Sequence, residues 1–513
     1  MALSLISWTP LIYLGTGLLA LLIYSTSSAI PVLQEEWTLF SLPGNLEITK
    51  NSKESNFSSF ADKGPTRNVS HMSLWAGILC FFGFFLIVCW SFPVLQAGGM
   101  FFIDFFSLKT SAFLLFFSTV VFWTSASWAS PAKIVHSEYV ALSLLSILGM
   151  VLLCFVQDLT ALYVCLELQS FALVVLCSLN YNSAYAVEAG MKYFLLSAYS
   201  SCLLLLGIGL IYWDTGTTNL VNLYSYYSVL NPNLSFSSLL GLWFVSLGLL
   251  WKLAAAPLHF WAADVYMGTW TSVGFMISTL PKISVLSFWV HHWHHLWILA
   301  FGNSLFWFSA ASLIVGALAP FAQVSYKRLL AFSSVGHIGF MLMCLVTNSQ
   351  GSSALFVYLF FYLATSLVVW GLLLWPYSRQ NTINGGPQYL WDLSSLNETL
   401  PTASIAWAVG MLSLAGLPPA AGFLGKLGLF WSTLNQNMYA LVLIALISTL
   451  LSSIYYLRVL KICYVDTPRS MEVYKGLPPV TAYFISFGVF VLIVGLWHGS
   501  PIVLGAHLLS LTL

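Results

Sequence analysis

Window after window of about twenty apolar residues recurs along this chain, each long enough to carry a helix across roughly 30 Å of hydrocarbon. Only 6% of the 513 residues are Asp, Glu, Lys or Arg, against about 25% in soluble domains. Outer-membrane barrels would show short alternating segments instead. The pattern predicts an all-α polytopic membrane protein with about 14 transmembrane helices. The spans fall near 3–24, 73–95, 103–127, 138–156, 159–179, 187–213, 238–261, 269–293, 301–323, 328–347, 353–376, 402–435, 438–462 and 480–498. A hydrophilic insert, 26–72, separates the first two spans and is expected to be a surface loop without its own core. The N-terminus has no basic n-region and looks like a first span rather than a cleaved signal. The eight cysteines form no CxxC pair, so neither a disulfide framework nor a cysteine metal site is indicated. A net charge of +1 with no large basic patch gives no reason to expect nucleic acid.

The cations test the span count. Of 17 Lys and Arg, five (Lys109, Lys192, Lys252, Lys282, Lys426) fall within spans. The other twelve lie in loops or at helix ends: Lys50, Lys53, Lys63, Arg67, Lys133, Lys327, Arg328, Arg379, Arg458, Lys461, Arg469 and Lys475. All twelve belong to odd-numbered loops, hence to one face. By the positive-inside rule that face is cytoplasmic or matrix, with both termini on the other side.

Two helices are expected to be discontinuous. Span 7 runs into WKLAAAPLHFW, with Pro257 shortly after Lys252. Span 12 runs through LAGLPPAAGFLGKLGLFW, with Pro418 and Pro419 before Lys426. Proline removes a backbone donor, and in lipid the freed carbonyls must face protein or a wet cavity. A broken helix beside a buried charge points to a transport site. The two broken spans are each the fourth of a five-span block, which suggests two inverted five-helix repeats. The expected divisions are 1–137, 138–293 (helices 4–8), 301–462 (helices 9–13) and 463–513.

Charge deep in a bilayer costs at least about 2.5–3.5 kcal/mol. Glu167, Lys192, Lys252, Lys282 and Lys426 therefore suggest a path for ions or protons. Glu167 is read either as a structural ion-pair partner or as the carboxylate that tunes a neighbouring lysine. Lys192 stands four residues after Glu188, so a surface i,i+4 pair competes with a path role. His337, three turns into span 10, is either a satisfied core histidine or a relay from Lys282 towards Lys426. His259, just past Pro257, is a possible gate. Lys109 is read as snorkelling. The run His291, His292, His294, His295 with Trp293 and Trp297 reads as an interfacial belt rather than a metal site. Aromatic stripes are taken as lipid-facing or packing surface. No phosphate loop, zinc signature or nucleophile–base motif appears.

These motifs together resemble subunit 2 of respiratory complex I, an antiporter-like family of the proton-translocating NADH:quinone oxidoreductase. The matching segments are LYVCLELQSFALVVL, EAGMKYFLLSAYSS, LLWKLAAAPLHFWAADVY, TLPKISVLSF, YKRLLAFSSVGHIGFML and LAGLPPAAGFLGKLGLF, in family order over 100–465. The resemblance implies a fourteen-helix antiporter fold with Glu167, Lys192, Lys252, Lys282, His337 and Lys426 on a central hydrophilic axis. It implies no cofactor in this chain, with FMN, iron–sulfur clusters and ubiquinone bound elsewhere in the complex. Implied partners are other membrane-arm subunits, including a neighbouring antiporter-like subunit and small membrane subunits, and lipids. One departure is the loop between spans 7 and 8, Ala262 to Ser272, which lacks the family's usual prolines and one of its acids. Its shape and any part in proton entry are left open by the sequence.

The expected mechanism moves a proton from Lys252 along Lys282 and His337 to Lys426, with Glu167 controlling the first lysine. Burial disfavours a charged amine and a nearby carboxylate favours it. A stand-alone cation/proton antiporter is the alternative, and a structural subunit whose lysines merely pair is a third reading. LELQS and YYLRVLKICYVDTPR have an organelle-encoded cast, which points to the mitochondrial inner membrane, with the Lys/Arg-rich loops on the matrix side.

Overall fold

The computed structural model describes residues 12–21, 65–89, 95–97, 99–129, 138–181, 183–230, 235–347, 349–374, 377–379, 382–384, 388–394, 396–466, 473–474 and 478–512. The ends of the first expected span, most of the hydrophilic insert, and Lys50, Lys53, Lys63, Lys133, Arg469 and Lys475 lie outside them.

The expected spans emerge as helices. They are α1 (Ile12–Leu21), α2 (Pro65–Val88), α3 (Phe105–Ala129), α4 (Glu138–Leu153), α5 (Leu159–Ser178) and α6 (Ala184–Thr215). A short α7 (Leu220–Leu230) precedes α8 (Phe236–Leu253), α9 (Phe260–Gly268) and α10 (Thr271–Phe288). A π turn, Trp289–Trp293, carries α10 into α11 (His294–Phe301). Then come α12 (Leu305–Leu318), α13 (Tyr326–Leu345), α14 (Ser349–Leu373), α15 (Pro401–Ala415), α16 (Gly422–Asn435), α17 (Tyr439–Tyr464), α18 (Pro479–Trp497) and α19 (Ser500–Leu511). Eleven of the described helical stretches are long and apolar enough to cross a membrane. The expected count of 14 is therefore not fixed, because α1, α4 and α15 are shorter apolar helices and α19 lies beyond the last expected span.

Some of the loops that the sequence places together do touch. At one end of the bundle Ser325 pairs with Tyr389, strand Tyr377–Arg379 with Val473–Tyr474, and the Lys327 amine with the Thr269 carbonyl at 2.6 Å. Those contacts gather the loops after the expected spans 7, 9, 11 and 13. At the opposite end Phe101 bridges to Val156 and Asp158 to Asn219, while a His294 ring nitrogen meets the Leu345 carbonyl. Those contacts gather the loops after spans 2, 4, 6, 8 and 10.

Both expected breaks are present and are built alike. In α8 the Ala254 N–H bonds to the Trp251 carbonyl and the Ala255 N–H to the Leu250 carbonyl. In α15 the Gly416 N–H bonds to Ser413 and the Leu417 N–H to Leu412. Each is a Schellman stop, in which a left-handed residue turns the chain and satisfies the last carbonyls. The left-handed residues are Ala254 (φ 58°) and Gly416 (φ 74°). Pro257 and the Pro418–Pro419 pair then keep the helix from resuming at once, and α9 and α16 restart beyond them.

Burial runs from centre to rim. Every side chain of α10 is buried, and α13 and α14 are nearly so. The outer helices expose large apolar groups such as Trp213, Leu450 and Tyr483. Such a rim suits lipid, where nothing drives apolar groups inward. Lys109 is exposed at the start of α3, with its amine 5.0 Å from the Phe105 ring centre, as a snorkelling residue would be.

Gly416 has no freedom to gain a side chain, because a Cβ there would collide with Lys426. Gly416→Ala should cost about 1–2 kcal/mol from left-handed strain alone and also displace that lysine. A lower thermal midpoint of the assembled complex is expected for Gly416→Ala, whereas Ala254→Gly should be tolerated.

Candidate functional site

Lys252 sits in the last turn of α8, where the C-terminal end of a helix dipole favours a cation. Its amine is buried and, among the described residues, has no hydrogen-bond partner. Glu167, half-buried on α5, acts on it only through space. The expected Glu167–Lys252 pair is thus not closed by a direct bond.

Lys282 lies mid-way along α10, right after Pro281. Its amine donates to the Tyr362 hydroxyl at 2.7 Å and stands 4.7 Å from the centre of that ring. Tyr362 in turn donates to the Ser278 carbonyl at 3.3 Å. His337 on α13 engages hydroxyls at both ring nitrogens: Tyr358 at Nδ1, 2.6 Å, and Tyr456 at Nε2, 3.2 Å. Its ring centre is 5.2 Å from that of Tyr362. Lys426 on α16 reaches back across the break and donates to the Leu414 and Ala415 carbonyls at 3.2 and 2.7 Å. Those are the closing carbonyls of α15, so the break itself makes the seat for this amine. Two small cavities flank His337. One of about 20 Å3 touches Tyr362, Ser278, Ser334 and Ser366, and one of about 10 Å3 touches Tyr456, Ser448, Ser452 and Lys426. Each has room for about one water and has polar walls to hold it.

Lys192 is placed differently. It lies near the start of α6, 41% exposed, and binds two carboxylates at 2.7 Å each, Glu188 one turn back and Asp264 on α9. The Glu188 pair is the i,i+4 contact the sequence offered. Asp264 is shared with Arg328 of α13 at 2.9 Å. Burial works against the charge on Asp264, but the two cations prevail and hold its carboxyl below the usual carboxylate range. The loop whose shape the sequence left open is therefore helix α9, clasped between α6 and α13.

His259 caps the start of α9 and stacks on Phe260, its Nδ1 buried and, among the described residues, unpartnered. The histidine run spreads around the π turn. His291 approaches Asp104 at 3.5 Å, and His294 spends a nitrogen on a backbone carbonyl. No three His, Cys, Asp or Glu among the described residues form a group that could hold a metal.

The sequence reading missed Tyr358, Tyr362 and Tyr456, and it missed Asp264 and Arg328. Treating aromatic stripes only as packing surface was mistaken on α14. The available signal was Tyr358 and Tyr362 four residues apart, on one face of a helix with no other tyrosine.

With this geometry in view, the relatives are informative. The family described as the transmembrane segment of NADH:quinone oxidoreductase/Mrp antiporters matches residues 156–452. NADH-ubiquinone oxidoreductase chain 2 of Marchantia polymorpha is 34% identical over 448 residues, 86% of this chain and 90% of the relative. The chain belongs to this family. Subunit N of the NADH-quinone oxidoreductase from Paramagnetospirillum magneticum is 35% identical over 72% of this chain and 77% of its own length. Among solved structures, a chain of Thermus thermophilus respiratory complex I matches with a TM-score of 0.75 and 25% identity, covering 96% of this chain and 98% of that one. A chain of the Mrp complex from Dietzia shares the fold alone, with a TM-score of 0.73 and 18% identity over 99% of this chain and 97% of that one. The expected all-α antiporter-like fold is thereby shown, as is a protein that crosses the membrane several times.

The Asp264 clasp is open to a double-mutant cycle. Asp264→Asn and Arg328→Gln should each lower the thermal midpoint of the assembled complex, and the double variant should lose less than the sum. Strict additivity would mean the two side chains do not act on each other.

Proposed function

We propose that this chain is a proton-translocating membrane-arm subunit of NADH:quinone oxidoreductase, carrying protons while electrons move in other subunits. Family membership supports the assembly, and the interior charges support the conduction. The observation that carries the reading is the Lys252 amine, buried at the end of a broken helix with no hydrogen bond among the described residues. A group in that state has no structural partner to lose when its proton leaves.

In this reading Glu167 adjusts Lys252 through its field, and the proton passes to Lys282, then His337, then Lys426. Water spans the gap between Lys252 and Lys282. Pro257, Pro418 and Pro419 keep the two breaks open beside their lysines, with His259 near the first. Lys192 works at the rim through Asp264. The two Schellman breaks support the division into inverted halves, 138–293 and 301–462. Each charge moved against 100 mV requires about 2.3 kcal/mol, so quinone reduction elsewhere supplies the drive. No redox cofactor belongs to this chain in the proposal. Its partners are other membrane-arm subunits, including an antiporter-like neighbour and small membrane subunits, and lipids. The proposed site of action is the mitochondrial inner membrane, with the loops after odd-numbered spans in the matrix and the termini in the intermembrane space. Likeness to the ubiquinone-type chains of plants supports that compartment.

Lys252→Met in the intact complex should sharply reduce the protons moved per NADH oxidised, or coupled turnover, with assembly preserved. Unchanged stoichiometry and rate would overturn the proposal. The family description also spans Mrp antiporters. Exchange of Na+ or K+ for H+ by the purified chain in liposomes, without NADH or quinone, would favour that reading instead.

A further inference from the structure

The proposed path has a chemical gap between Lys282 and Lys426. Neither amine touches His337, because hydroxyls occupy both nitrogens of its ring. The amine of Lys282 is likewise engaged by a hydroxyl, that of Tyr362. Three buried phenols thus stand wherever the basic groups would have to meet. Tyr358 and Tyr362 are one turn apart on α14, on the side facing α13, and Tyr456 approaches from α17.

Resting on the proton-translocating reading, we infer that Tyr362, Tyr358 and Tyr456 are the relay between Lys282 and Lys426, with one water in each cavity beside His337. Each hydroxyl both donates and accepts, so it can take one proton and release another without leaving its place. Lys282 passes a proton from Nζ to the Tyr362 oxygen, and the original Tyr362 hydroxyl proton turns from the Ser278 carbonyl to the water in the cavity that both residues line. From that cavity, which His337 lines and Tyr358 does not, the water shifts to reach the Tyr358 oxygen, and Tyr358 gives its own proton to Nδ1 of His337. The ring releases a proton from Nε2 to Tyr456. Tyr456 hands its hydroxyl proton through the second water to the neutral Lys426 amine. Lys282 ends neutral and Lys426 charged, every tyrosine and both waters keep their proton count, and the imidazole is left as its Nδ1–H tautomer, which returns to the Nε2–H form before the next proton passes. No oxidant or reductant is involved.

The packing favours this use of the phenols over a purely structural one. Tyr362 has two hydrogen-bonding duties, accepting from Lys282 and donating to the Ser278 carbonyl. Serines 333, 334 and 366 around the same cavity each donate to a carbonyl of their own helix, which leaves lone pairs on their oxygens to accept from water. Phenylalanine would fill the same space and remove the hydroxyl that links Lys282 to the cavity.

The test compares Tyr362→Phe, Tyr456→Phe and Lys282→Met in the assembled complex in sealed membrane vesicles. NADH oxidation, protons moved per NADH and assembly on native gels are read together. The expected result is a several-fold fall in protons per NADH, or in coupled turnover, for both phenylalanine variants, with normal assembly. If Lys282→Met blocks pumping while the phenylalanine variants pump normally, the relay is overturned and the proton path stands. If Lys282→Met also pumps normally, the path itself fails. Infrared difference spectra of the wild-type complex with ring-labelled tyrosine cover the case of variants that do not assemble. Label-sensitive C–OH bands on energisation support the relay, and their absence overturns it.

Discussion

A protonated amine surrounded by hydrocarbon must find oxygen atoms, and the architecture follows from how this chain supplies them. Lys426 takes two carbonyls that exist only because α15 stops at Gly416. Lys282 takes a phenol carried by α14. Lys252 is seated at a helix end with no direct ligand among the described residues. Breaking a helix inside a membrane exposes carbonyls at a cost of several kcal/mol each if unmet. The Schellman turns meet most of that cost, and at the second break the lysine meets the rest. The breaks and the interior charges are two halves of one solution.

Much of this was legible because the residues involved are rare in such a chain. A lysine or a proline pair within an apolar window has few explanations, so the breaks at Pro257 and Pro418–Pro419, and Lys252, Lys282 and Lys426 beside or between them, stand out. The phenols were not legible, because tyrosine in a membrane helix serves equally as lipid contact, packing or hydrogen-bond donor. Only the fold tells which of 24 tyrosines faces an imidazole.

Asp264 shows a different limit. Its partners are 72 and 64 residues away in the chain, and neither spacing carries a local signature. The sequence offered Lys192 a nearby carboxylate, Glu188, and that contact is real. It is half of the arrangement. Local periodicity finds pairs on one helix, whereas a clasp among α6, α9 and α13 is a property of packing.

The complete burial of α10 bears on how the protein is made. None of its residues from Thr271 to Phe288 meets the lipid, yet the helix carries Lys282 and several hydroxyl side chains. A segment of this kind gains little from entering hydrocarbon by itself. The hydroxyls of Ser278, Thr279, Ser284 and Ser287 bond within the helix, but Lys282 finds its mate, Tyr362, only once α14 has closed in, so during synthesis it depends on a neighbour still to emerge. Packing around this lysine is therefore a late event. A lesion in an outer helix can leave the central one stranded without altering any residue that touches Lys282.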